Sequence, residues 1–89
     1  MIYFNNTFFN MKEKIVWKSK NEHIIIMKRK SFYENDDMIY VVYREKRNYK
    51  RFNSYRFYDL KWVIERWERS LDEAVNYAHS LPDEFIIEE

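Results

Sequence analysis

No glycine occurs among the 89 residues of this chain. Glycine enters left-handed backbone conformations without steric penalty. Without it, any turn that needs a positive φ must fall to another residue, and asparagine or aspartate tolerate it best. The absence also removes phosphate-cradling glycine loops and the dinucleotide fingerprint, which both need backbone that a side chain would block. Cysteine is missing too, so disulfides, thiolate zinc sites and cysteine nucleophiles are excluded. What remains is a fold of strands and helices joined by polar turns.

Three stretches read as strands. Lys14 to Lys18 is short, β-branched and aromatic; His23 to Lys30 carries three consecutive isoleucines; Met38 to Arg44 is the strongest strand pattern in the chain. Ser19-Lys20-Asn21-Glu22 joins the first two and Glu34-Asn35-Asp36-Asp37 the next pair, both of hairpin composition. Short connections imply an antiparallel meander, because parallel neighbours need a crossover of about a dozen residues or more. Met1 to Phe9 is apolar enough to add an edge strand. Tyr49 to Tyr58 reads as a polar, aromatic loop or ragged strand. Phe85-Ile86-Ile87 offers a short strand inside the acidic tail from Asp83 to Glu89.

The clearest helix begins at Ser70, over about 70–81. Ser70-Leu71-Asp72-Glu73 is a capping box, in which the serine oxygen accepts from the third helical N–H and Glu73 reaches back. Asp72 and Glu73 suit the positive helix start. Leu71, Ala74, Val75, Ala78 and Leu81 then share one face, and Pro82 stops the helix. Residues 59–69 admit two readings. Leu60, Ile64 and Trp67 extend the helical spacing back into one helix of about 23 residues. The β-branched and aromatic Trp62-Val63-Ile64, followed by a fresh cap, favour strand then helix, and that is the expectation taken here.

The predicted fold is therefore α+β: a small twisted antiparallel sheet of three to five strands with the 70–81 helix packed on one face. A chain of this length holds a single domain, 1–89, stable by about 4–13 kcal/mol. Its longest apolar run, Met38 to Tyr43, has six residues, against about 18 for a membrane span. No secretory h-region follows Met1. Both observations lead to the expectation of a cytoplasmic protein without a membrane partner.

The net charge of +1 conceals a split. Residues 1–61 carry 14 Lys/Arg and 7 Asp/Glu, while residues 62–89 carry 2 and 8. A near-neutral total argues against non-specific coating of nucleic acid, whose affinity grows with the cations delivered. Phe, Tyr, Met, Ile, Asn and Lys make up 45 residues and Gly, Ala, Arg and Pro only 10. AT-rich codons would supply such lysines and aromatics without any binding role. Arginine and tryptophan therefore carry more weight as functional signals.

Enzyme signatures are weak. His23 and His79 lie far apart in sequence; the end-of-helix position of His79 suits contact with the last carbonyls. Asp36-Asp37, Asp83-Glu84 and Glu88-Glu89 are adjacent carboxylates, but neighbours on a strand point opposite ways. No metal-ligand spacing is present. Ser70 is better used as a cap than as a nucleophile. The expectation is a non-enzyme with no cofactor and no metal.

The informative segment is 44–57. Arg44, Lys46, Arg47, Tyr49, Lys50, Arg51, Phe52, Tyr55, Arg56 and Phe57 interleave cations with rings, and four of the seven arginines fall there. Such a surface can bind single-stranded nucleic acid, with phosphates on the cations and bases on the rings. It can equally dock a protein, since Arg, Tyr and Trp dominate interface energies. The candidate binding residues are Arg44, Arg47, Tyr49, Lys50, Arg51, Tyr55 and Arg56, with Arg47, Lys50 and Arg51 expected to face solvent. In size, skewed composition and lack of catalytic motifs, the chain is similar to small accessory proteins of phages and mobile elements. That resemblance implies a module that occludes a host protein, as anti-defence inhibitors such as anti-CRISPR proteins do. The leading expectation is thus a protein partner. Direct single-strand binding through 44–57 is the alternative, and self-association a further option.

Overall fold

The computed structural model describes residues 14–31, 37–52 and 55–88, and for Phe52, Tyr55, Arg56 and Tyr58 the backbone alone. Five strands and one helix follow in the order β1 (Lys14–Lys18), β2 (Ile24–Lys30), β3 (Met38–Phe52), β4 (Tyr55–Glu68), α1 (Leu71–His79) and β5 (Ile86–Glu88). The expected α+β architecture is present. Strands β1-β2-β3-β4 lie side by side in chain order, each antiparallel to the next. β5 adds to β3 in parallel, with Lys46 opposite Ile86 and Asn48 opposite Glu88. The path back through β4 and α1 supplies the length that a parallel return requires. The expected edge strand at Met1 to Phe9 lies outside the described residues.

Alternation along β2 and β3 explains the core. Ile24, Ile26 and Val42 point to the helix side, where Ala74 and Ala78 meet them at 0% and 2% exposure. Ile25, Met27, Ile39, Val41 and Tyr43 form a second buried cluster on the other side, with Trp62 packed against it. Because both faces are buried, Ile24–Met27 reads as a continuous apolar run instead of an alternating one. Val16, Trp17, Leu71, Val75 and Leu81 close the rim of the helix-side cluster.

The serine half of the expected capping box forms at Ser70. Its backbone is extended (φ −124°, ψ 149°) and its Oγ accepts from the Glu73 N–H at 3.2 Å. The small side chains of Ala74 and Ala78 let α1 lie close on the sheet. The helix stops at His79, slightly short of the expected end. There the Ser80 hydroxyl donates to the Tyr77 carbonyl at 2.6 Å. Among the described residues, His79 makes its ring contact with the edge of Trp17, at 5.5 Å, and not with the last carbonyls.

Of the two readings of Tyr49 to Tyr58, the strand holds for the described residues: β3 and β4 stay paired from Tyr40↔Glu68 to Phe52↔Tyr55, with a register shift between Val42 and Tyr43. The mixed polar and aromatic pattern there is that of a ribbon with little core beneath it, so alternation in hydropathy is lost while strand pairing is kept. One expectation needs correction, the β1–β2 turn, where the positive φ falls on Glu22 (φ 62°) and on neither Asn nor Asp. Asn21 is occupied elsewhere. Its backbone N–H donates to Asp83 Oδ2 at 2.7 Å and its side-chain amide to the Asp83 carbonyl at 3.4 Å.

Candidate binding surface on the long hairpin

β3 has 15 residues, which at about 3.3 Å per residue makes a rod of roughly 50 Å. That matches the 48 Å long axis of the molecule. Only its first half is sandwiched between the two buried clusters. From Lys46 onward, β3 and β4 form a ribbon, supported on one edge by β5 at residues 46–48. Residues 46–61 carry six Lys/Arg and one Asp, so the basic segment identified in the sequence is this ribbon.

Register sorts its side chains. Residues directly opposite in an antiparallel pair share a face. Lys46, Asn48, Lys50, Phe57, Asp59 and Lys61 occupy one face; Arg47, Tyr49, Arg51 and Leu60 occupy the other. Tyr49 and Phe57 are both solvent-exposed, at 38% and 43%, but on opposite faces. Lys50, Asp59 and Lys61 help to line a shallow concavity of about 350 Å³ on the first face. Tyr55 and Arg56 belong to β4 beside the tip, their side chains outside the description.

The cations expected to act alike are treated very differently. Arg51 is exposed. Lys50 is half exposed and stands 3.9 Å from Asp59. Lys46 reaches Glu88 at 2.6 Å. That hydrogen bond is the main reason the Glu88 carboxyl titrates below its ordinary value; partial desolvation opposes it, and the charges of Lys46, Lys61 and Lys50 reinforce it. Arg44 donates from Nε to the Glu84 carbonyl at 3.0 Å.

Arg47 is committed most deeply. Its Nε donates to Glu45 Oε2 at 2.9 Å, and its guanidinium lies 4.0 Å from the centre of the Phe85 ring. Glu45 is 5% exposed. Its other oxygen is 2.6 Å from His23 Nδ1, and the His23 ring meets the edge of Phe85 at 5.4 Å. A buried carboxylate is tolerable only when paired and hydrogen-bonded, and here both oxygens have partners. The cluster fastens the strand leading into β5 to the foot of the ribbon. The grouping of His23 and Phe85 around Glu45 is not signalled by their spacing in the sequence. The available signal was a lone acidic residue inside an otherwise basic, strand-forming stretch.

A second polar clamp holds the same C-terminal segment. Ser19 Oγ donates to Asp83 Oδ1 at 2.6 Å and accepts from the Ile24 N–H at 3.1 Å. Burial pushes the Asp83 carboxyl upward. The Ser19 hydroxyl, the backbone N–H groups of Asn21 and His23, and the adjacent imidazole outweigh it, holding Asp83 below its ordinary value.

Among the described residues, no group of three or more His, Asp or Glu side chains is placed to hold a metal ion. No helix there is long and apolar enough to cross a membrane. No family model, curated protein or solved structure matches this chain.

Proposed function

We propose that this chain is a non-enzymatic binding module that docks onto a protein partner through the distal part of the β3–β4 ribbon and occludes the surface it covers. The observation that carries the reading is the ribbon itself. A two-stranded hairpin is at best marginally stable alone in water, and this one continues well past the core that anchors it. Tyr49, Lys50, Arg51 and Phe57, exposed near its end, are residue types suited to interface contacts. Tyrosine adds rigid contact area at low entropic cost.

Two features favour protein over nucleic acid. Strand alternation divides the exposed rings between opposite faces, so they do not line up as a stacking platform for successive bases. Moreover Lys46, Arg47 and Lys50 each face a carboxylate of the chain itself, which reduces the positive charge available for phosphates. The six-to-one excess of basic residues over 46–61 keeps single-strand binding as the second reading. Occlusion of a host protein, as small phage-type inhibitors do, is the biological form this proposal takes.

The test combines Tyr49→Ala, Lys50→Glu and Arg51→Glu in one variant. The wild type should capture a protein from its native host after nuclease treatment, and the variant should lose it while keeping its melting transition. Capture abolished by nuclease, with salt-dependent binding of a single strand by the purified protein, would replace the first reading with the second.

A further inference from the structure

One face of the ribbon carries its own counter-ion. Lys46, Asn48 and Lys50 of β3, Asp59 and Lys61 of β4, and Glu88 of β5 share that face. Asn48 stands between Glu88 and Asp59 in register, so two carboxylates sit among three lysines. Glu88 bonds Lys46 at 2.6 Å, and the charges of Lys61 and Lys50 act on it as well. Its side chain is nevertheless 43% exposed. Its strand has three residues and pairs with β3 in parallel, the weaker of the two ladder geometries. Asn48 lines the same concavity as Lys50, Asp59 and Lys61. Its Oδ1 is buried and, among the described residues, accepts no hydrogen bond.

We propose that this face binds an acidic, extended segment of the protein partner, whose carboxylates take the lysines from Glu88. Glu88 is then a built-in competitor that shields the face in the free chain. This names the chemistry of the partner and therefore rests on the docking reading given above. Exposed ion pairs are worth little individually, so exchanging Glu88 for another carboxylate costs little. A segment with several carboxylates gains more, because it can also engage Lys50 and Lys61, which Glu88 does not bond directly. The Asn48 oxygen selects between anions. A phosphodiester backbone only accepts hydrogen bonds and leaves that oxygen unpaired, at a cost. A peptide brings backbone N–H donors alongside its carboxylates. Phe57, exposed on the same face opposite Lys50, offers a ring to an apolar side chain of the segment.

The test titrates a capped hexaglutamate peptide into the isotope-labelled full-length chain, followed by NMR. Shifts should concentrate at Lys46, Asn48, Lys50 and Lys61, the Asn48 side-chain amide included. The Glu88 carboxyl should titrate higher, back toward its ordinary value, as it leaves Lys46. Glu88→Gln should tighten the peptide by up to about fivefold, and Lys61→Glu should weaken it by about as much. Hexathymidylate should bind more weakly than the peptide, and Asn48→Ala should weaken the peptide alone. Circular dichroism of every variant separates loss of binding from loss of fold. No binding at millimolar peptide, an affinity indifferent to Glu88→Gln, or tighter binding of hexathymidylate would overturn the proposal. The two readings fail separately. A null result at Glu88 leaves host-protein capture through Tyr49, Lys50 and Arg51 standing, and failure of that capture leaves peptide binding at the lysines standing.

Discussion

The hydroxyl of Ser19 donates to the carboxylate of Asp83 at 2.6 Å, joining the first turn of the sheet to the segment after the helix across 64 positions of sequence. Ser19 is itself buried at 9% exposure, so this oxygen would lose an acceptor with little water to replace it. Asp83→Ala should therefore cost about 1–3 kcal/mol, measurable as a lowered midpoint in urea.

The same clamp sets an acid dependence. The Asp83 carboxyl is held below its ordinary value in the folded chain, so its charged form is favoured by folding. The stabilisation is fully present above that value and is lost as pH falls through the lower folded pKa. Asp83→Asn should flatten the stability profile within that acid window and leave its slope at neutral pH unchanged. Urea titrations between about pH 5 and about pH 2 would show it. An unaltered acid slope would mean that Asp83 titrates normally.

At Glu22 the backbone sits at φ 62° with a side chain poorly suited to it. A left-handed residue costs roughly 1–2 kcal/mol when it is not glycine, and asparagine feels that cost least. The turn is held in place by hydrogen bonds from the Glu22 N–H to the Ser19 carbonyl and from the Ser19 N–H to the Ile24 carbonyl, both 2.9 Å. Glu22→Asn should raise stability by about 0.5–1 kcal/mol, after the small loss of the exposed Lys18–Glu22 pair. A thermal melt that falls instead would show that the position is not strained.

Ala78 tests the helix–sheet contact. It is buried against Ile24, Ile26 and Val42, so Ala78→Leu should overpack the interface and cost about 1–3 kcal/mol. Asn76→Leu, on the exposed side of the same helix, should change stability by less than about 0.5 kcal/mol. Equal effects at the two positions would mean that the buried face has been misassigned.

What could be read in the sequence divides by the range of the interactions concerned. Ser70 and Glu73 announce the helix start because capping is a contact over three residues. The apolar Ile24–Met27 and Met38–Tyr43 announce central strands because their burial is written into their composition. The ribbon at 49–58 was not legible as regular strand. It has little core to impose alternation, and its order comes from cross-strand partners such as Tyr49↔Tyr58. The different fates of Arg47 and Arg51 were equally hidden. Both look like free cations in a basic run, and only the return of Phe85 and the burial of Glu45 distinguish them. Asn21 was the natural residue for the left-handed turn position. The distant Asp83 claims it, and Glu22 takes the strain.

The length of β3 means that a single strand passes through two stability regimes. Between Ile39 and Glu45 its amides lie among side chains that are buried on both faces of the sheet. They should exchange with solvent deuterium only when the whole molecule unfolds. Beyond Asn48 the same strand has β4 alone beside it among the described residues, and its amides can open locally while the core stays closed. Ordering imposed on the ribbon by whatever it binds would therefore be paid in the entropy of a few terminal residue pairs, and the folding equilibrium of the body would hardly register it.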